Sequence, residues 1–159
     1  MKTLLLYASK HGATRNAAEK LAGQLEGEVK IINLQDKGSA DVSVEDYERV
    51  IIGGSIYIGK IQKSISKFCE TNLEKLLKVK KLGLFICCGE EAKALEQLAA
   101  AFPAELLKKA AAKGYFGHEL KLEKLNFVSR TMIKKITGVK KNESKIKEEN
   151  IKKFAEEMV

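Results

Sequence analysis

Thr3–Thr14 reads TLLLYASKHGAT. Its first half, Thr3–Ala8, is a short continuous apolar run, the pattern of a strand buried on both faces. Its second half, Ser9–Thr14, is polar and contains Gly12, so the chain turns there. Arg15–Leu25 follows with Ala18, Leu21, Ala22 and Leu25 at helical spacing. A doubly buried strand that passes through a polar turn into an amphipathic helix opens a βαβ unit. It predicts a parallel sheet covered by helices.

The alternation continues along the chain. Glu28–Asn33 (EVKIIN) reads as a second strand, and Asp36–Asp46 as a polar connection. Arg49–Gly53 (RVIIG) is a third strand, followed by the Gly-bracketed loop Gly53–Lys60 (GGSIYIGK). Gln62–Leu77 fits one helix with Ile65, Phe68, Cys69, Leu73, Leu76 and Leu77 inward. Leu82–Cys88 (LGLFICC) is a fourth strand, with a loop from Gly89. Ala92–Phe102 and Ala104–Lys113 read as helices parted at Pro103, which suits a first helical position. Tyr115–Leu122 reads as the fifth strand, and Phe127–Thr137 and Ser144–Met158 as two last helices. In a sheet of this kind, ligands sit beyond the carboxyl ends of the strands where strand order reverses. The loops after strands one, three and four are therefore the expected functional edge.

The composition narrows the classes. The 159 residues suit one domain spanning 1–159, and 45% apolar residues can build a core. A single Pro and 12 Gly exclude a collagen-like or disordered chain. No apolar run approaches the ~20 residues of a membrane helix. The start MKTLLLYASKHGATR turns polar too soon for a signal peptide, so a cytoplasmic protein is expected. Cys69, Cys87 and Cys88 are odd in number and two are adjacent, which excludes a disulfide framework and the usual zinc spacing.

The net charge of +8 is uneven: residues 1–100 carry 15 Lys and Arg against 13 Asp and Glu, and residues 101–159 carry 14 against 8. The basic excess suits an anionic partner such as an acidic membrane surface, with Lys134, Lys135, Lys140 and Lys141 as the expected patch. A plain solvated surface is the competing reading. No nucleic-acid signature accompanies the charge, and no nucleic acid is expected.

Ser9-Lys10-His11-Gly12-Ala13-Thr14 joins the first strand to a helix start. Its backbone N–H groups and the helix dipole favour an anion there, and Ser9 and Thr14 add hydroxyls. The loop is neither a P-loop nor GxGxxG, so a phosphate monoester fits better than a nucleoside triphosphate or a dinucleotide. A plain turn capped by Ser9 or Thr14 is the alternative.

At this point the chain resembles the flavodoxin family. That family's phosphate loop has the form Ser/Thr-x-x-Gly-x-Thr after the first strand, as Ser9–Thr14 does. Its second ligand loop follows strand three, as Gly53–Gly59 does. Its third follows strand four, as Cys88-Gly89-Glu90 does. The resemblance implies a three-layer α/β/α sandwich with a five-stranded parallel sheet of order 2-1-3-4-5. It implies FMN as cofactor and electron transfer between redox partners. The stretches MKTLLLYASKHGATRNAAEKLA, YERVIIGGSIYIGK and SRTMIKKITG are similar to the flavodoxin-like, menaquinone-dependent protoporphyrinogen dehydrogenases, which implies a quinone acceptor at a membrane face.

The resemblance also implies roles. Ser9, Lys10, His11, Gly12, Ala13 and Thr14 would hold the FMN phosphate. Ser55, Ile56, Tyr57, Ile58 and Gly59 would line one side of the isoalloxazine, with Tyr57 stacked on it. Cys88, Gly89 and Glu90 would meet the pyrimidine edge. Cations at Lys10, His11 and Lys60 would favour the reduced, anionic flavin. Two other classes stay open at this point: a flavin-free interaction module, and a signalling receiver domain. The receiver needs carboxylates where Ser9 and Gly53 stand.

Overall fold

A computed structural model of the protein describes residues 1–9, 12–120, 131 and 143–159. The elements run β1 (Lys2–Ala8), α1 (Ala13–Ala22), β2 (Glu28–Asn33), β3 (Arg49–Tyr57), β4 (Lys60–Ile61), α2 (Lys63–Thr71), α3 (Leu73–Lys78) and β5 (Lys81–Cys87). They continue α4 (Ala94–Ala101), α5 (Ala104–Lys109), β6 (Ala112–Tyr115), β7 (Gly117–Leu120), β8 (Glu143–Ile146) and α6 (Glu148–Glu157).

Side chains alternate across the pleat, so each apolar strand feeds two cores. Along β1, Leu4, Leu6 and Ala8 join one cluster while Leu5 and Tyr7 join the other. Along β3, Val50 and Ile52 face one way and Ile51 the other; along β5, Leu82, Leu84 and Ile86 oppose Phe85 and Cys87. Helices α2 to α5 cover the first face through Ile65, Phe68, Leu76, Leu98 and Leu106. Helices α1 and α6 cover the second through Ala17, Leu21, Ile151 and Phe154. There Phe116 stacks on Phe85 at 4.6 Å and meets Phe154 edge-on at 5.3 Å. Gly53 makes that packing possible, because a Cβ on it would lie 2.1 Å from the Phe85 ring.

The parallel strands are ordered β2-β1-β3-β5-β6. Numbered among themselves, they give the expected order 2-1-3-4-5. Several expected elements differ in extent. The loop expected at Gly53–Lys60 is strand as far as Tyr57, because the ladder continues with Gly54 beside Ala8 and Ser55 beside Cys87. It then folds back into β4. The single helix expected over Gln62–Leu77 breaks at Asn72, whose side chain donates to the Phe68 carbonyl.

The fifth parallel strand is Ala112–Tyr115, not Tyr115–Leu122. Ala112 and Lys113, good helix formers, pair with Gly83 and Leu84, and sheet pairing overrides their helical propensity, so the helix expected over Ala104–Lys113 ends at Lys109. Gly117, at φ 81°, then redirects the chain into β7, which pairs antiparallel with β8 as a separate two-stranded ribbon. The expected helix Ser144–Met158 therefore starts only at Glu148. Of the expected helix Phe127–Thr137, Thr131 is helical and the rest lies outside the described residues, as do Lys134, Lys135, Lys140 and Lys141. Among the described residues no helix is long and apolar enough to cross a membrane.

Candidate functional site

Three neighbouring strands, β1, β3 and β5, end together at the carboxyl edge of the sheet. The order reverses between β1 and β3, so this edge is the crevice where such folds place a ligand. The described parts of the three segments singled out in the sequence, Ser9 and Gly12–Thr14, Ser55–Gly59 and Cys88–Glu90, lie at the ends of these strands. Lys10 and His11 lie outside the described residues.

The first segment is built around Gly12, which caps α1 at φ 92°. Its N–H donates to Ser9 Oγ at 2.9 Å, and its carbonyl accepts from Asn16 N–H at 3.0 Å. The bond to Ser9 uses a lone pair and leaves the hydroxyl hydrogen free to donate. Among the described residues no side chain caps α1, and no acidic residue lies in its first turn. The N–H groups of Ala13, Thr14 and Arg15 thus have no acceptor within the helix, and the dipole there stays positive. Arg15 itself is exposed and bonded to Glu19 at 3.0 Å.

Thr14 decides what this hollow can hold. Its side chain is fully buried, yet Oγ1 has no hydrogen-bond partner among the described residues. Burial raises the Cys87 thiol and the neighbouring Thr14 hydroxyl pulls it back down, a weak contact that falls short of hydrogen-bond geometry and leaves Oγ1 unmet. An unmet buried hydroxyl costs about 1–3 kcal/mol, so an acceptor at the foot of the loop stabilises it. A phosphate monoester supplies such acceptors.

The second segment is a hairpin with a two-residue turn, Ile58 at φ 49° and Gly59 at φ 75°. Positive φ at both central positions matches the twist of the flanking strands. Ile58 is β-branched and 67% exposed, so the tip holds a strained, solvent-facing apolar residue. Tyr57 beside it, the last residue of β3, is also exposed. Lys60 is exposed at the start of β4.

The third segment is anchored from outside. Cys88 N–H donates to the Gly117 carbonyl at 2.9 Å, where the ribbon begins. That N–H is therefore engaged within the fold, which leaves the Gly89 and Glu90 backbone for a ligand. The Ser55 N–H is likewise taken, by Gln62 Oε1. Gln62 and Gly117 escaped the sequence reading, since neither belongs to a motif and each acts through a neighbour's backbone. Tyr115 was read only as strand; it ends β6 beside Ile86, next to this segment.

The thiols are not poised to react. Burial pushes Cys69 and Cys87 up to about 12 from 9.0, and raises Cys88 as well. Burial, then the nearby Cys88 and Glu91, push the Tyr115 hydroxyl up to about 12 from 10.0. Groups raised in this way stabilise the fold fully below their unfolded pKa and lose that contribution as pH rises through the folded value. The urea midpoint is therefore expected to hold to about pH 9 and fall between pH 9 and 12. A midpoint flat across that window, or thiols that react with a disulfide reagent in native protein at pH 8, would contradict this burial.

A sequence model of the flavodoxin domain matches residues 4–147. The chain belongs to the flavodoxin family. A protein of Methanocaldococcus jannaschii, MJ0298, is 36% identical over 117 residues, 72% of this chain and 69% of that one. Oxidised flavodoxin 1 of Bacillus cereus superposes with a TM-score of 0.61 at 18% identity, over 99% of this chain and 97% of its own. A flavodoxin from the domain Archaea superposes with a TM-score of 0.55 at 16% identity, over 99% of each chain. Membership of the flavodoxin family sets FMN as the group to test against the site. The unmet Thr14 hydroxyl, the uncapped α1 start and the exposed Tyr57 ring all fit it.

Proposed function

We propose that the chain holds FMN at the β1–β3–β5 edge and carries electrons between redox partners. The observation that carries this reading is the buried, unpartnered Oγ1 of Thr14 below the uncapped start of α1. Thr14 donates to the phosphate from within the fold. Ser9 adds its hydroxyl hydrogen, and the N–H groups of Ala13 and Thr14 complete the cradle. Tyr57 packs against the ring system, and Gly89 and Glu90 offer backbone groups to its polar edge. FMN, when bound, supplies the one- and two-electron chemistry. The protein orients it and sets its surroundings.

Purified protein is expected to be yellow and to release FMN on heating, identified by mass spectrometry. Predominant FAD, or protein left colourless after FMN addition, overturns the reading. Thr14→Val removes a donor to a charged group, worth about 1.5–3 kcal/mol, so FMN affinity is expected to fall roughly ten- to a hundredfold. The same change removes an unmet buried hydroxyl, so the ligand-free protein is expected to melt no lower than the wild type. Equal affinity in both proteins would separate Thr14 from the phosphate.

A second reading is electron delivery to a quinone at an anionic membrane face, with protoporphyrinogen as donor. It is supported by the basic stretch that lies between β7 and β8 in the sequence. Residues 121–142 contain seven Lys and Arg against one Glu, and β7 starts at Gly117, bonded to the third site segment. Anaerobic mixing with protoporphyrinogen and a soluble quinone separates the readings. Turnover favours the enzyme, and its absence with FMN in place leaves the carrier.

A further inference from the structure

The Gln62 side chain makes two bonds to one residue seven positions away. Its Oε1 accepts from Ser55 N–H at 3.1 Å, and its Nε2 donates to Ser55 Oγ at 2.5 Å. The amide orientation follows from chemistry, since the Ser55 N–H can be met only by the carboxamide oxygen. Gln62 caps α2, where its carbonyl accepts from the Ile65 and Ser66 N–H groups, so its backbone is held while its side chain reaches β3. Gly54 leaves the room for this, because a Cβ there would lie 2.6 Å from Gln62 Oε1 and 2.9 Å from Ile61.

We infer that Gln62 is a positioning residue that fixes Ser55 as a hydrogen-bond donor toward the ligand. Resting on the FMN reading above, the inference names what that site demands of its occupant. Both carboxamide groups are spent on Ser55. The Ser55 N–H is occupied, and one lone pair of Oγ is filled by Nε2. The hydroxyl hydrogen has no acceptor on Gln62 and is left for the site. Ser55 thus calls for an acceptor atom, a carbonyl oxygen, ring nitrogen or hydroxyl, on whatever lies against the end of β3.

Gln62→Glu tests this by reversing the polarity. The carboxylate still accepts from Ser55 N–H, but it cannot donate to Oγ. The Ser55 hydroxyl then turns its hydrogen onto the new carboxylate and no longer donates to the ligand. FMN affinity, read by flavin fluorescence titration, is expected to fall about tenfold, the worth of one lost hydrogen bond. Ser55→Ala is expected to cost about as much. In the Ser55→Ala background, Gln62→Glu is expected to add less than about a twofold loss.

A tenfold loss from Gln62→Glu in both backgrounds would assign the effect to the added charge and overturn the inference. Unchanged affinity in Gln62→Glu, with FMN bound by the wild type, overturns it alone. A wild type that takes up no FMN overturns it together with the proposed function. If Gln62→Glu does not fold, Gln62→Met serves, because it frees Ser55 to rotate. A loss of about threefold with Ser55 present and none in the Ser55→Ala background supports the inference, and equal losses overturn it.

Discussion

Gly117→Ala is expected to lower the stability of the protein by about 4 kcal/mol and to weaken FMN binding with it. A Cβ at this position would lie 1.9 Å from the backbone carbonyl oxygen of Lys145 and 3.1 Å from Lys147 N. Backbone atoms cannot swing aside as a side chain can. The residue also sits at φ 81°, which a side chain resists independently of the space around it. Relief requires β7 to part from β8, and the Gly117 carbonyl to leave Cys88 N–H. The second change reaches the site, because Cys88 opens the segment that includes Gly89 and Glu90. Thermal melts of the ligand-free protein and FMN titration together check the prediction. A melting point within about 2 °C of wild type, corresponding to less than ~1 kcal/mol, would show that the ribbon yields at little cost.

Arg49→Leu is expected to cost about 3 kcal/mol and to leave FMN affinity unchanged. Arg49 is 3% exposed, at the amino end of β3, far along the strand from the site. Its Nε donates to Thr3 Oγ1 at 2.8 Å, Nη1 to the Met158 carbonyl at 3.1 Å and Nη2 to the Glu26 carbonyl at 2.6 Å. Three acceptors from β1, the α1–β2 connection and the end of α6 thus meet on one guanidinium. Leucine fills much of the volume but leaves all three unmet, and buried acceptors without donors dominate the loss. Melting is expected about 6–12 °C lower for a chain of this size. A drop below about 2 °C would mean that water replaces the guanidinium there. A large drop in FMN affinity would mean that the two ends of the sheet are coupled.

The strands that build the site were legible because burial on both faces leaves an unambiguous mark. TLLLYA, RVIIG and LGLFICC are continuous apolar runs too short for helices, and all three are strands of the central sheet. The extents that were missed depend on distant partners. GGSIY looks like a loop by its glycines, yet Ala8 and Cys87 on either side extend the ladder through Ser55. Ala110–Lys113 looks helical by composition, yet Gly83 and Leu84 lie beside Ala112 and Lys113 in the sheet. A turn with a β-branched residue at positive φ could not be read from Tyr57–Lys60, since Asn or Gly is what that position favours.

The site was legible in the same uneven way. Ser9, Gly12 and Thr14 carry a local pattern, and local geometry explains each of them. The clasp of Gln62 on Ser55 and the bond from Gly117 to Cys88 arise only once β3 folds back into β4 and β6 hands the chain to β7. Neither leaves a trace in spacing or composition.

The placing of Arg49 has a consequence for how the molecule opens. It gathers β1, the α1–β2 connection and α6 at the amino edge of the sheet, while the ligand edge is made of turns and loop starts. Amide exchange should therefore be graded along each strand. Protons near Thr3, Val50 and Leu82 should wait for global unfolding, and those near Ser55 and Cys88 should exchange through local openings of the free protein. Occupancy of the site would then slow exchange mainly at one end of every central strand. A deuterium map of the sheet, read from end to end, would locate the ligand without a bound structure.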